Sequence, residues 1–164
     1  MKVLKVIGGG VIVLLVAIVL TFVVARFLDG PLAMIPGGAL ASGAVIMEPV
    51  TNWDPLRAVD TIEMQLAGEA TSRTTWFLAH EGKGYIPVSL SFPPGKSWHS
   101  RADKDGTAII RTMGNRYPVR LERTHDERAI AALVEIVKDK YDGGPPNGAG
   151  VWFFQVISAP DMAQ

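Results

Sequence analysis

Cysteine is absent from the 164 residues, which removes disulfides, thiolate nucleophiles and cysteine-ligated zinc or iron-sulfur sites together. The chain is therefore indifferent to the redox state of its compartment. Net charge is also missing, because 16 Lys and Arg balance 16 Asp and Glu. Lys2, Lys5 and Arg26 flank the first apolar run, so the remainder is mildly acidic and lacks the electrostatic footprint of a nucleic-acid-binding protein. Histidine is scarce, with three copies: His80 at a strand end, His99 beside Trp98, and His125 inside a helix cap. No two have the spacing of a shared metal-ligand pair. Ser97, His99 and Ser100 lack an elbow motif, and read as extended chain they point to opposite faces, so no nucleophilic triad forms. Asp103-Lys104-Asp105-Gly106 begins like a calcium loop but lacks its closing Glu and reads as a turn. No repeat is visible, and the length holds one domain plus an appended segment.

What is present begins with grease. From Val6 to Ala25 the sequence VIGGGVIVLLVAIVLTFVVA carries no charge, and as an α-helix it extends about 30 Å, the thickness of a hydrocarbon core. Its β-branched residues disfavour a helix in water, whereas lipid leaves a lone segment no other way to satisfy its backbone. A cleaved signal is the rival, with Ala39-Leu40-Ala41 as a small-x-small site, but that triplet stands too far beyond the apolar core. The expectation is one transmembrane helix over 6–27 after a short cytoplasmic N-terminus over 1–5. Lys2 and Lys5 outweigh Arg26, which Asp29 offsets, so the rest of the chain is expected on the periplasmic or extracellular side of a cell membrane.

Residues 28–59 form a Gly/Pro-rich lead-in. Proline and glycine at this density oppose a helix, yet Leu32, Met34, Ile35, Leu40, Val45, Ile46 and Met47 are costly to leave in water. The segment is expected to lie along the domain or on the lipid surface, with Ala44 to Met47 pairing as a strand.

The domain itself is expected over 60–158, with a tail over 159–164. Ile62, Met64 and Leu66 alternate with polar neighbours in the period of a half-buried strand. Thr74 to His80, the turn Glu81-Gly82-Lys83-Gly84 and Tyr85 to Phe92 read as a hairpin, and Gly114-Asn115 joins a second one between Thr107 to Met113 and Arg116 to Glu122. Pro118 marks an edge or bulge. Thr124 and Glu127 make a capping-box pattern before the stripe Ile130, Leu133, Val134, Val137 and Tyr141, and Gly143-Gly144 stops that helix. After a flexible stretch from Pro145 to Gly150, Val151 to Ile157 is apolar on both faces, as a central strand would be. About six strands and one helix make a mostly β, α+β fold: a small barrel capped by a helix.

The order of these signals resembles a family. A strand, Ser-Arg-Thr-Thr at 72–75, a hairpin, Trp98 before a polar stretch, a hairpin ending in Arg116-Tyr117-Pro118-Val119-Arg120, a helix and a last aromatic strand are similar to the split β-barrels of pyridoxamine-phosphate-oxidase-like and deazaflavin-dependent nitroreductase-like flavoproteins. The lead-in, with Gly30-Pro31-Leu32 and Pro36-Gly37-Gly38, resembles that of uncharacterised membrane-anchored bacterial proteins with such a domain. The resemblance implies flavin or deazaflavin binding, commonly in a homodimer with the site between subunits. It places Ser72, Arg73 and Thr74 at phosphate-contacting positions. The turn Ala67-Gly68-Glu69-Ala70-Thr71 departs from the family's longer cationic turn, and a carboxylate there repels phosphate.

Beside the resemblance, Trp98-His99-Ser100-Arg101 combines an aromatic face, an imidazole and a guanidinium, a set that can hold a flat anionic ligand; packing of a rim tryptophan is the plainer account. The candidate cofactor-binding residues are thus Ser72, Arg73, Thr74, Trp98, His99 and Arg101, with no catalytic or metal residue assigned. The leading expectation is a membrane-anchored accessory or binding module, a degenerate flavin-binding relative holding no cofactor. The alternatives are a flavin- or deazaflavin-dependent oxidoreductase and a small single-helix subunit of a larger membrane complex. Expected partners are the lipid bilayer and a second copy or other membrane subunits, and not nucleic acid.

Overall fold

The structure, a computed structural model, describes residues 2–141 and 150–163, with side chains over 10–141 and 150–161. In chain order its elements are a helix α1 (Lys2–Ala25), strands β1 (Ala44–Val45), β2 (Thr61–Leu66), β3 (Arg73–Trp76), β4 (Leu78–His80) and β5 (Lys83–Ser89), a one-turn helix α2 (Trp98–Ala102), strands β6 (Thr107–Thr112) and β7 (Asn115–Arg123), a helix α3 (Glu127–Lys140) and strand β8 (Val151–Ser158). The sheet order is β3-β2-β6-β7-β8-β5-β4, with β1 parallel to β7 off this path. All pairings along the path are antiparallel.

Closure comes from one residue. Only Phe77 separates β3 from β4, so 73–80 is a bent strand whose first half pairs with β2 and whose second half pairs with β5. The two ends of the sheet are thereby joined through the chain, and the result is a nearly closed barrel. Alternation then sorts the side chains. Ile62, Met64, Phe77, Ile86, Ile110, Val119 and Phe154 fill the interior, sealed at one end by Trp98 and Ala102 of α2. On the outside, Leu78, Tyr85 and Phe153 meet Leu133, Val134 and Val137 of α3. β8 serves both cores, with Phe153 outside and Phe154 inside, which is why it reads as apolar on both faces.

The α3 stripe packs as its spacing predicts, but the cap differs from expectation. Asp126, not Thr124, is the N-cap: its carboxylate accepts from Arg128 N at 2.9 Å and Ala129 N at 3.3 Å, while Thr124 Oγ1 accepts from Asp126 N. At the other end Lys140 Nζ donates to the carbonyls of Val59, Arg57 and Phe77, and Tyr141 stacks on Trp76 with centroids 4.2 Å apart. The helix is therefore latched to the bend that closes the barrel. Gly143-Gly144 and the stretch from Pro145 to Asn147 lie outside the described residues.

Other expectations shift locally. Among the described residues eight strands form rather than six, since one run divides at Phe77 and β1 adds a pair. Leu90 to Phe92 fall beyond β5. The second hairpin turns on Met113 (φ 49°) and Gly114 (φ 76°), with Asn115 already paired to Thr112; the turn is one residue earlier than expected. Pro118 sits where β7 changes partner, between β1 at Arg116 and β8 from Val119, so its missing N–H breaks no ladder.

The lead-in is fastened to the barrel wall. Arg111 donates to Asp29 Oδ1 at 2.8 Å, to the Asp29 carbonyl at 2.9 Å and to Ser42 Oγ at 3.0 Å, and pairs with Glu63 on β2. Gln65 accepts from Leu40 N at 2.9 Å, and Arg116 donates to the carbonyls of Leu40 and Gly43, each at 3.0 Å. Asp29 also accepts from Ala41 N and Ser42 N; the Ser42 hydroxyl first, then these amides and Arg111, hold its carboxyl well below the ordinary range. Leu40 and Trp53 are buried, whereas Leu32, Met34, Val45 and Met47 stay exposed. Within the residues whose side chains are described, which take in α1 only from residue 10 onward, no helix is long and apolar enough to cross a membrane.

Candidate ligand site

The site is built by the turn that leaves β2. Gly68 takes φ 75°, a left-handed geometry glycine adopts freely, and Glu69 N donates back to Leu66 O at 3.1 Å while Gln65 Nε2 holds the Glu69 carbonyl at 2.7 Å. The Glu69 carboxylate is thereby aimed at two arginines. One oxygen pairs with Arg73 at the start of β3, and the other accepts from Arg101 Nε on α2 at 2.6 Å. Arg101 Nη1 also donates to Ser97 Oγ at 2.8 Å. Glu69 and Arg73 are mostly covered and Arg101 is half exposed.

Trp98 backs this clasp, with the Arg73 guanidinium 5.8 Å from its ring centroid. Burial lowers the pKa of Arg73, with Arg101 acting in the same direction and Glu69 opposing. Arg73 Nε is buried with no protein partner. Outside the clasp lies an open depression of about 320 Å³, bordered by the 66–68 turn, Glu69, Arg101, Lys104 and Asp105.

His99 belongs to a neighbouring cluster. Its ring meets Trp152 edge-on at 5.3 Å, and Arg123 lies 3.7 Å over the other ring system of that pair, Trp152. Burial, and then Lys96, push the His99 pKa down against the pull of Asp103, which favours a neutral imidazole near pH 7. Its Nδ1 is buried without a protein partner. Because 98–102 is helical, Ser97, His99 and Ser100 do not alternate as extended chain would, and Ser97 is committed to Arg101.

Of the six residues expected at a cofactor, the fold thus gathers Arg73, Trp98 and Arg101. His99 stands one ring away. Ser72 and Thr74 are used elsewhere: Ser72 is fully buried with its hydroxyl donating to Gly38 O at 2.5 Å, and its backbone exchanges two 3.1 Å bonds with Gly37. Thr74 Oγ1 donates to Ala33 O at 2.6 Å. Sequence reading placed Glu69 as a repulsive element and missed that it pairs with two cations. The Glu69/Arg73 spacing was a local signal; Arg101, 32 residues away, gave none.

These contacts count against a flavin phosphate held by the expected set of residues. Two of the hydroxyls assigned to it are bonded to the lead-in, and the two guanidinia share an internal carboxylate. A phosphate that took Arg73 from Glu69 would leave a largely covered carboxylate unpaired.

No known family model matches the chain, and no curated protein does. Solved structures are similar to it. A candidate general stress protein 26 from Jannaschia sp. superposes with a TM-score of 0.51 at 15% identity, over 66% of this chain and 72% of that one. A candidate pyridoxamine 5′-phosphate oxidase from Listeria innocua gives 0.48 at 12% identity, over 63% and 86%, and a FAD-binding protein from Mesorhizobium loti gives 0.41 at 15%, over 63% and 84%. At such identities the likeness shows the fold, a split barrel, and nothing finer.

Proposed function

We propose that this chain is a membrane-anchored split-barrel module that binds or supports a partner and does not turn over a flavin. The observation that carries this reading is the closed clasp: Glu69 occupies both Arg73 and Arg101, where a bound phosphate would need them free. Ser72 and Thr74, committed to the lead-in, support it further.

The anchor half of the proposal rests on α1. Its 24 residues amount to about 36 Å of helix, enough for a hydrocarbon core of about 30 Å. Between Val11 and Val24 large apolar side chains are exposed on every face, with Val13 at 69% and Val19 at 60%. An isolated helix of this kind in water would be without the packing that stabilises helices, and lipid supplies the missing solvent. The excess of Lys2 and Lys5 over Arg26 supports a cytoplasmic N-terminus, with the barrel on the periplasmic or extracellular side of the cell membrane.

The test is detergent extraction of the full chain from native membranes, followed by visible absorbance and native mass spectrometry. The expected result is a colourless protein that salt-washed membranes retain. Flavin or deazaflavin near stoichiometry, reducible by a nicotinamide donor, would reject the accessory reading in favour of an oxidoreductase.

A further inference from the structure

If α1 spans a bilayer, as proposed above, the orientation of the barrel relative to lipid follows from contacts already described. Residues 26–46 are not a slack tether. Gly38 N donates to Leu28 O at 3.1 Å, and a Cβ on Gly37 would stand 1.7 Å from Gly30 O. The excursion 28–38 is therefore a closed loop whose limbs touch through glycine backbone. Its tip is tightened by reciprocal bonds between Leu32 and Ile35 at 3.0 and 2.9 Å.

This loop turns apolar side chains outward. Phe27 is 85% exposed, Met34 80% and Leu32 45%. A second segment brings another to the same end of the molecule: the β6–β7 tip places Gly114 O against Gly43, while Arg111, two residues before the tip, holds Asp29 and Ser42. At that tip Met113 occupies a positive-φ turn position, 75% exposed. Turn positions of this kind favour Asn, Asp or Gly, so a large apolar residue there is unexplained by the turn itself. Arg26, exposed at the helix exit, adds a cation at the level of lipid phosphates.

We infer that the barrel rests on the bilayer surface by this end, with Phe27, Met34 and Met113 in the interfacial layer. The occupant of the patch is lipid because the patch is continuous in sequence with α1, beginning two residues after Ala25. Exposed apolar groups beside a membrane entry point partition into the headgroup boundary, as interfacial segments do. The strand β6 then sets the other pole. It runs from Thr107 to Thr112, so the Lys104 end, with Glu69 and Arg101, faces away from the membrane and toward water.

The absence of native cysteine permits a direct test. Single variants Val16→Cys, Met34→Cys, Met113→Cys and Lys104→Cys of the full chain, labelled with a polarity-sensitive dye, are reconstituted in phosphatidylcholine vesicles with and without nitroxide-bearing lipid. The expected order of quenching is Val16 above Met34 and Met113, with both methionine positions several-fold above Lys104 and blue-shifted in emission. Either methionine position at the Lys104 level, while Val16 is quenched, overturns the inference and leaves the anchor standing. An unquenched Val16 overturns the anchor itself.

Discussion

Two ionic clusters built from the same residue types do opposite things in this molecule. At the lead-in, one guanidinium, Arg111, faces two carboxylates, Asp29 and Glu63; at the far end of the barrel, one carboxylate, Glu69, faces two guanidinia, Arg73 and Arg101. The first cluster leaves an excess of negative charge whose members come from three segments, and its hydrogen bonds end on backbone and on Ser42. It is a fastener. The second leaves an excess of positive charge, an unpartnered buried Nε on Arg73 and open space beside Arg101. On the reading proposed above, its internal carboxylate stands where an external anion could. Charge count, more than the identity of the residues, distinguishes the structural pin from the proposed binding surface.

The sharpest way to break this comparison is Arg111→Met. Removing the guanidinium leaves Asp29 and Glu63 close to each other without a counter-charge, at a position where Arg111 is only 11% exposed. Because the two carboxylates left behind are about a third exposed, the cost of losing their shared partner is screened to about 2 kcal/mol, and the lead-in should detach. Urea titration of the detergent-solubilised chain checks the stability, and faster proteolysis within 29–43 checks the place. An unchanged midpoint would mean that the lead-in is held by Gln65, Arg116 and Ser72 alone.

Glu69→Gln should have a smaller effect on stability and a larger one on binding. The amide keeps the shape but not the charge, so a loss of about 1–2 kcal/mol is expected from the weakened hydrogen bonds to Arg73 and Arg101. In exchange the two guanidinia become available, and titration calorimetry should find inorganic phosphate bound by the variant and not by the parent. If neither binds, the second cluster is a fastener like the first.

How much of this could be read beforehand depends on sequence distance. The periodic elements were legible: β2 from its alternation, α3 from its stripe, β8 from its two apolar faces, because each signal lies within a few residues. α2 was not, since a single turn after Pro93-Pro94-Gly95 has too few residues to show a period. The N-cap moved from Thr124 to Asp126 because either side chain can cap, and only the chain's path from β7 decides which one does. The site suffered most. Arg111 meets Asp29 across 82 residues and Arg101 meets Glu69 across 32, so the sign of each cluster existed only after the barrel had closed. The bend at Phe77 was likewise hidden in one apolar-aromatic run, because a strand that changes partners has the same local pattern as one that does not.

Acid should separate the two clusters with the least perturbation of all. Asp29 has its carboxyl held below the ordinary value of 3.8, chiefly by the Ser42 hydroxyl and the Ala41 amide and further by Arg111. A carboxylate depressed in the folded state contributes stability that is complete above the unfolded value and is lost as pH falls through the folded one. The fastening of the lead-in should therefore be constant from neutral pH down to about pH 4 and weaken progressively below it. Because the carboxylate is partly exposed, screening keeps the change modest. Hydrogen exchange of the Ala41 and Ser42 amides, which donate to Asp29, reports this directly. Their protection, corrected for the intrinsic pH dependence of exchange, should fall below about pH 4 in the parent chain. In Asp29→Asn it should be lower at neutral pH and lack that acid limb. An acid limb retained by Asp29→Asn would mean that protonation of Asp29 is not what frees the lead-in.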